Sequence, residues 1–202
     1  MWNQAKIGCA IKSGFFAKRI SVLLLCCLSA IFSTTATAQE AASPWVLVDT
    51  RQQTLTVFAG QGKVIKHFPY VALGRGGSGN ERRRGDGKTP LGTFHVAWVN
   101  PNSQFDIFFG LDFPGVENAD RAYRDSIIDR ETYHNILDAA LTKRTPPQDT
   151  PLGGQIGIHG LGKRSPRVHR GFNWTDGCIA LTNEQIRLLA KWVRIGTKVL
   201  II

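Results

Sequence analysis

Trp174-Thr175-Asp176-Gly177-Cys178-Ile179-Ala180-Leu181 carries the one cysteine outside the first 38 residues; the others are Cys9, Cys26 and Cys27. A single thiol in an exported chain has no intramolecular disulfide partner, so it needs another reason to be there. Upstream, Ile158-His159-Gly160 supplies an imidazole able to activate it. This pairing organises the reading of everything around it.

Export is predicted from the first residues. Lys6, Lys12, Lys18 and Arg19 form a positive leader with no acidic residue, followed by the apolar run Ile20 to Phe32 and the small-residue pattern Ala36-Thr37-Ala38. Together they have the form of a cleavable signal peptide over 1–38. The apolar run is about 13 residues, short of the roughly 20 needed to span a bilayer, so no membrane span is expected after cleavage. An uncleaved anchor is the alternative, and both the length and the A-x-A pattern weigh against it. Cleavage removes four of the 25 Lys and Arg and none of the 15 Asp and Glu, taking the net charge from +10 to +6. A basic exported domain suits an acidic cell-wall polymer or an anionic lipid surface better than nucleic acid, from which export separates it.

The mature part, 45–202, is read as one domain. Trp45 to Asp49 and Thr54 to Phe58 alternate apolar and polar residues, and Val64 to Leu73 follows, in the manner of an antiparallel meander. Phe94 to Val99, Gln155 to His159 and Lys198 to Ile202 read as further strands, the last wholly apolar at its end and expected to be buried on both faces. A helix is predicted over Arg130 to Lys143, with Ile136, Leu137, Ala140 and Leu141 on one side. Another starts after Thr182, where Thr182-Asn183-Glu184-Gln185 forms a capping box; Ile186, Leu189, Ala190 and Val193 recur at helical spacing up to Gly196. Many strands and few helices indicate a β-rich α+β fold.

Between the meander and Phe94 runs a glycine-rich basic loop, from Gly74 to Pro90, containing Arg82-Arg83-Arg84. Its Gly-Lys-Thr is not a phosphate loop, because that motif needs glycine at position 82, where the chain has arginine. Two readings stay open: a solvated hairpin loop, or a basic rim that receives an anionic substrate or binds the cell wall without catalysis.

The chemistry rests on Cys178 and His159. An ordinary cysteine is about 3% thiolate at pH 7, and a histidine that brought its pKa to about 6.5 would raise that roughly 25-fold. This is worth under about 2 kcal/mol, against the 8 or more that enzymes supply. Backbone donors must therefore stabilise an oxyanion as well, and Gly177 suits a tight turn beside the nucleophile. His169 reads as an exposed loop histidine, and His67, His95 and His134 as ordinary strand or surface residues. A zinc site from His159, His169 and Cys178 would have a spacing foreign to the usual zinc patterns, so no metal is assigned.

At these residues the chain resembles the L,D-transpeptidase family of bacterial cell-wall enzymes, whose pattern is His-Gly and then, 14 to 17 residues on, Ser/Thr-x-Gly-Cys. Here 14 residues separate His159-Gly160 from Thr175-Asp176-Gly177-Cys178. Lys88-Thr89-Pro90-Leu91-Gly92-Thr93-Phe94 and the closing helix-strand pair are similar too. The resemblance implies a sandwich-like fold of mixed strands, Cys178 as nucleophile, His159 as general base, and Gly177, Gly160, Thr175 and Asp176 as oxyanion or substrate-binding residues. It further implies peptidoglycan stem peptides as substrate, a periplasmic location, a thioester intermediate open to carbapenems, and no metal or organic cofactor. The acceptor would be an amine on a second stem or on a cell-wall-attached protein, or water. Many members have histidine or arginine where this chain has Asp176, and arginine where it has Ala180. The variant here, like the segment Phe105 to Pro151, resembles a subgroup that includes hydrolases of cell-wall attachments.

Overall fold

The computed structural model describes residues 43–202, so the expected leader over 1–38 lies outside the described residues. Strands β1 (Trp45–Asp49) and β2 (Thr54–Ala59) form the first hairpin, with Trp45 opposite Phe58 and Asp49 opposite Thr54. Their alternation has a direct cause: Val46, Val48, Leu55 and Val57 are fully buried, and the residues between them face outward. The turn is closed by Asp49, whose carboxylate accepts the N–H groups of Arg51 and Gln52 at 2.9 Å.

Strand β3 (Lys63–Pro69) is the outer edge, exposed except at Ile65 and Phe68 and carrying Lys63, Lys66 and His67. Such charged, half-solvated edges resist pairing with other chains. The strand does not run to Leu73 as the pattern suggests. Pro69 has no N–H to extend the ladder, and Tyr70 takes a left-handed φ of 61°. The chain then crosses over, and Ala72 exchanges backbone hydrogen bonds with Ala180 at 3.0 and 2.8 Å.

After the short pair β4 (Ser78–Gly79) and β5 (Thr89–Pro90) come β6 (Gly92–Ser103) and β7 (Asp106–Leu111). Helices α1 (Val116–Arg124) and α2 (Arg130–Leu141) follow, then β8 (Gly157–His159), α3 (Pro166–Gly171), β9 (Ile179–Ala180), α4 (Asn183–Leu189) and β10 (Lys198–Ile201). The large mixed sheet has the order β3-β2-β1-β10-β6-β7-β8-β9. Strand β6 joins its halves, pairing first with β10 and then, beyond a register shift near Val96, with β7. Because the Ala72–Ala180 bridge links the segment after one edge strand to the other edge, the sheet folds over a core of Leu55, Phe68, Phe94, Phe109, Phe113 and Ile158. This is the β-rich α+β fold expected.

Three expectations need correcting. Strand β10 is central, between β1 and β6, but only one of its faces is core: Val199 and Ile201 are buried while Ile202 is half exposed. Helix α2 buries Ile136 and Ala139 and leaves Leu141 83% exposed, so its apolar stripe is rotated from the one the spacing suggested. Helix α4 keeps its capping box, yet it stops at Leu189 well short of Gly196. Within the segment 105–151, Leu111, Phe113, Ala119 and Ile136 are fully buried members of the core. Among the described residues, no helix is long and apolar enough to cross a membrane.

Candidate active site

The segments carrying the two key residues are brought together by a parallel strand pair. Strand β9 lies beside β8 with Ile158 opposite Ile179 and His159 opposite Ala180. Ile158 and Ile179 are wholly buried in the core. His159 and Cys178 are each one residue removed from them, so alternation sends both toward the other face.

His159 is itself 2% exposed, enclosed by the rings of Phe105 at 4.4 Å, Trp174 at 5.8 Å and Phe108 at 5.9 Å. Its Nδ1 lies 2.7 Å from the Gly160 carbonyl, which can only accept. Nδ1 therefore carries the proton, and Nε2 is the free base. Burial lowers the imidazole pKa from 6.5 to about 4, with the charges of Arg164 and His169 adding to the fall and the Gly160 hydrogen bond opposing it.

Cys178 is half-buried and its thiol donates to the Gln155 carbonyl at 3.4 Å. Burial pushes this thiol up to about 11, against the pull of the Gly157 backbone hydrogen bond and the Arg82 charge; Asp176 pushes it further up. The resting pair is thus neutral, thiol and imidazole, rather than the ion pair that a histidine-lowered thiol pKa would give.

The turn leading to Cys178 is held from several sides. Thr175, buried, donates its hydroxyl to the Cys178 carbonyl at 2.7 Å and accepts the Gly177 N–H at 3.2 Å. Gly177 adopts φ +123°, and a Cβ there would sit 2.5 Å from the Lys88 carbonyl. Gly160 is required by packing: its N–H donates to Ile107 O at 3.3 Å, and a Cβ would lie 2.6 Å from Phe105 O. The Asp176 carboxylate is exposed and pairs with Arg75 at 2.7 Å.

The glycine-rich loop is neither a solvated hairpin nor a free basic rim. Gly74 N–H donates to Thr89 Oγ1 at 2.9 Å, Arg75 N–H to Thr175 O at 2.9 Å, and Thr175 N–H to Leu73 O at 3.2 Å, so the loop is sewn to the Cys178 turn. Arg82 is 7% exposed and Arg84 is bound to the Thr150 carbonyl and Asp149, which leaves Arg83 as the one arginine of the triplet pointing freely outward. Nothing in the triplet itself distinguished Arg82.

His169 also departs from expectation. It is 4% exposed on α3, close enough to His159 to depress its pKa. Phe105, Phe108, Trp174 and Gln155 are further members that sequence reasoning missed, being ordinary residues until the fold gathers them. His67, His95 and His134 stay exposed on β3, β6 and α2. Among the described residues, no three His, Cys, Asp or Glu side chains gather as a metal site. A cavity of about 690 Å³ opens between β6 and α2, lined by His95, Asp112, Ile136 and Lys143 among others, but neither Cys178 nor His159 reaches it.

The burial of neutral His159 has a measurable consequence. An unfolded histidine binds a proton below 6.5, whereas the folded one resists until about 4. Stability from this site is therefore present above pH 6.5 and lost as the pH falls toward 4. The loss is about 3 kcal/mol. Urea unfolding of wild type and His159→Gln at pH 7 and pH 4 should show that the substitution removes a matching part of the acid-side slope.

The candidate site is thus a thiol on the turn into one strand, with a tethered imidazole on the next and the mixed sheet behind them. Residues 43–201 match the family of L,D-transpeptidase catalytic domains (YkuD), and the chain belongs to that family. No curated protein matches it significantly. Among solved structures, the helical cell shape determining protein Pgp2 from Campylobacter jejuni superposes with a TM-score of 0.54 at 21% identity, covering 79% of this chain and 47% of that one. Bd1075 of Bdellovibrio bacteriovorus gives 0.49 at 22% identity, covering 81% and 49%. The chain spans about half the length of these structures, and the likeness to Pgp2 is one of fold.

Proposed function

We propose that the chain is a periplasmic cysteine L,D-transpeptidase acting on peptidoglycan stem peptides in cell-wall biogenesis or remodelling. The observation that carries this reading is the placement of Cys178 and the Nδ1-tethered His159 toward one face of adjacent parallel strands. Nε2 of His159 takes the thiol proton as Cys178 attacks the carbonyl of the stem residue that precedes D-alanine. The backbone N–H of Cys178 receives the developing oxyanion, since the Gly177 N–H expected for that task is donated to Thr175 Oγ1. Collapse breaks the peptide bond, His159 returns the proton to the leaving amine, and a thioester remains. An amine on a second stem or on a protein then displaces the sulfur.

A second reading of the same site has water as the acceptor, which trims stems or releases a cell-wall-attached protein. It is favoured by position 180, where the arginine that helps shape the substrate pocket in many members is replaced by Ala180, wholly buried and paired through its backbone to Ala72. A non-catalytic wall-binding module built on the arginine triplet has less support, because Arg82 is buried and Arg84 is engaged.

Incubation with a carbapenem should give one covalent adduct by intact mass in wild type and none in Cys178→Ala. Absence of the adduct in wild type, with muropeptides left unprocessed, would sink the enzymatic reading. Muropeptide mass spectrometry divides the two acceptors: cross-linked dimers mean an amine, shortened stems or freed protein mean water.

A further inference from the structure

Arg82 is the most deeply buried cation among the described residues and makes no hydrogen bond to a carboxylate. Its Nε donates to Lys88 O at 2.8 Å, Nη1 to Leu152 O at 3.0 Å, and Nη2 to Asp176 O at 2.8 Å. These carbonyls belong to three separate segments, and the third lies two residues before Cys178. A buried guanidinium whose hydrogen bonds all go to neutral acceptors is costly even with the charges of Asp86 and Asp176 acting on it from nearby, so a fold that keeps one needs its charge or its reach. The surroundings are cut to fit it. Phe113 presents its ring 5.4 Å below, and a Cβ on Gly153 or Gly177 would come within 2.8 or 3.0 Å of the guanidinium nitrogens.

We propose that Arg82 is a positioning residue: its fork fixes the Asp176-Gly177-Cys178 turn, and its charge is the counter-charge to the Cys178 thiolate as it forms. The inference rests on Cys178 being the nucleophile. The other charge acting on the thiol is Asp176 on the turn, paired outward with Arg75, while Asp86 acts on Arg82 itself and His159 stands on the neighbouring strand β8. Asp176 opposes ionisation and His159 is neutral at rest, which leaves Arg82 as the fixed positive charge acting on the sulfur.

Charge and reach separate on substitution. Lysine keeps the charge but cannot bind three diverging carbonyls, and methionine keeps neither. Alkylation of Cys178 by iodoacetamide at pH 8 follows the thiolate population, whereas acylation by a carbapenem also needs the turn in place. In folded Arg82→Met, alkylation should slow by roughly tenfold, one pKa unit's worth, and acylation by more. In Arg82→Lys, alkylation should return to within about threefold of wild type while acylation stays at least about tenfold slow. Wild-type alkylation in folded Arg82→Met, or wild-type acylation in Arg82→Lys, overturns the proposal. The lysine variant alone decides if the methionine variant fails to fold. Iodoacetamide needs no enzymatic turnover, so failure of the functional reading would appear separately, as wild-type protein that alkylates but is not acylated.

Discussion

Replacing Cys178 with alanine is expected to reduce turnover of a stem-peptide substrate by about 10⁴-fold or more, with little change in the unfolding midpoint. The side chain is half-buried and contributes little to packing, but in the proposed mechanism it supplies the atom that forms the acyl bond. His159→Gln should cost nearly as much. With the thiol pushed up to about 11, only about one molecule in 10⁴ carries a thiolate at pH 7. The imidazole must therefore remove the proton during attack. Because the two groups act as one unit, the double variant should be no slower than the slower single variant. A distinct signature follows for His159→Gln. Its residual rate should rise about tenfold per pH unit from 7 to 10, as hydroxide replaces the missing base. Wild type should lack this slope, since His159 is neutral and competent well above about 4. Full activity in His159→Gln at pH 7, or additive losses in the double variant, would show that the imidazole is not the base.

What could be read in advance was whatever is local or strictly periodic. Val46, Val48, Leu55 and Val57 announce the first hairpin, because burying one face of a strand leaves a period-two trace in the sequence. Thr182 and Gln185 announce α4, because a capping box is complete within four residues. The spacing of His159-Gly160 and Thr175-Asp176-Gly177-Cys178 carries the site, since parallel pairing of β8 with β9 brings the two motifs side by side. Long-range facts left no such trace. Arg82 is one of three consecutive arginines, and the carbonyls of Leu152 and Asp176, 70 and 94 residues away, set it apart. His169 became buried through α3, a six-residue helix too short for periodicity to reveal. Helix α1 buries only Asn118, Ala119 and Ala122, a face too small to leave an apolar stripe in the sequence. The protonation states were equally hidden, because they follow from how far Phe105, Phe108 and Trp174 exclude water from His159, and a sequence does not record enclosure.

Gly177→Ala should be a severely damaging single-methyl change, although it leaves both reacting groups intact. The backbone there has φ +123°, a conformation that side chains rarely adopt, and holding it with alanine costs about 1–3 kcal/mol. The new Cβ also meets the Lys88 carbonyl at 2.5 Å, Arg82 Nη2 at 3.0 Å and Ile156 Cδ1 at 3.0 Å. None of these can retreat cheaply. Lys88 O already accepts the Arg82 Nε hydrogen bond, Arg82 is fixed at two further carbonyls, and Ile156 is buried. The turn must therefore move, carrying Cys178 out of line with His159, and a displacement of about 1 Å at a reacting atom is enough to cost about 100-fold in rate. The expected result is a fall in stability of about 2–4 kcal/mol, together with a loss of carbapenem acylation measured well below the unfolding midpoint. Gly171→Ala is the control, since a Cβ there meets nothing within 4 Å. It should acylate and unfold like wild type. If Gly177→Ala did the same, the turn would have room that the Lys88 carbonyl denies it, and the tight approach of the basic loop to Cys178 would have no bearing on the chemistry.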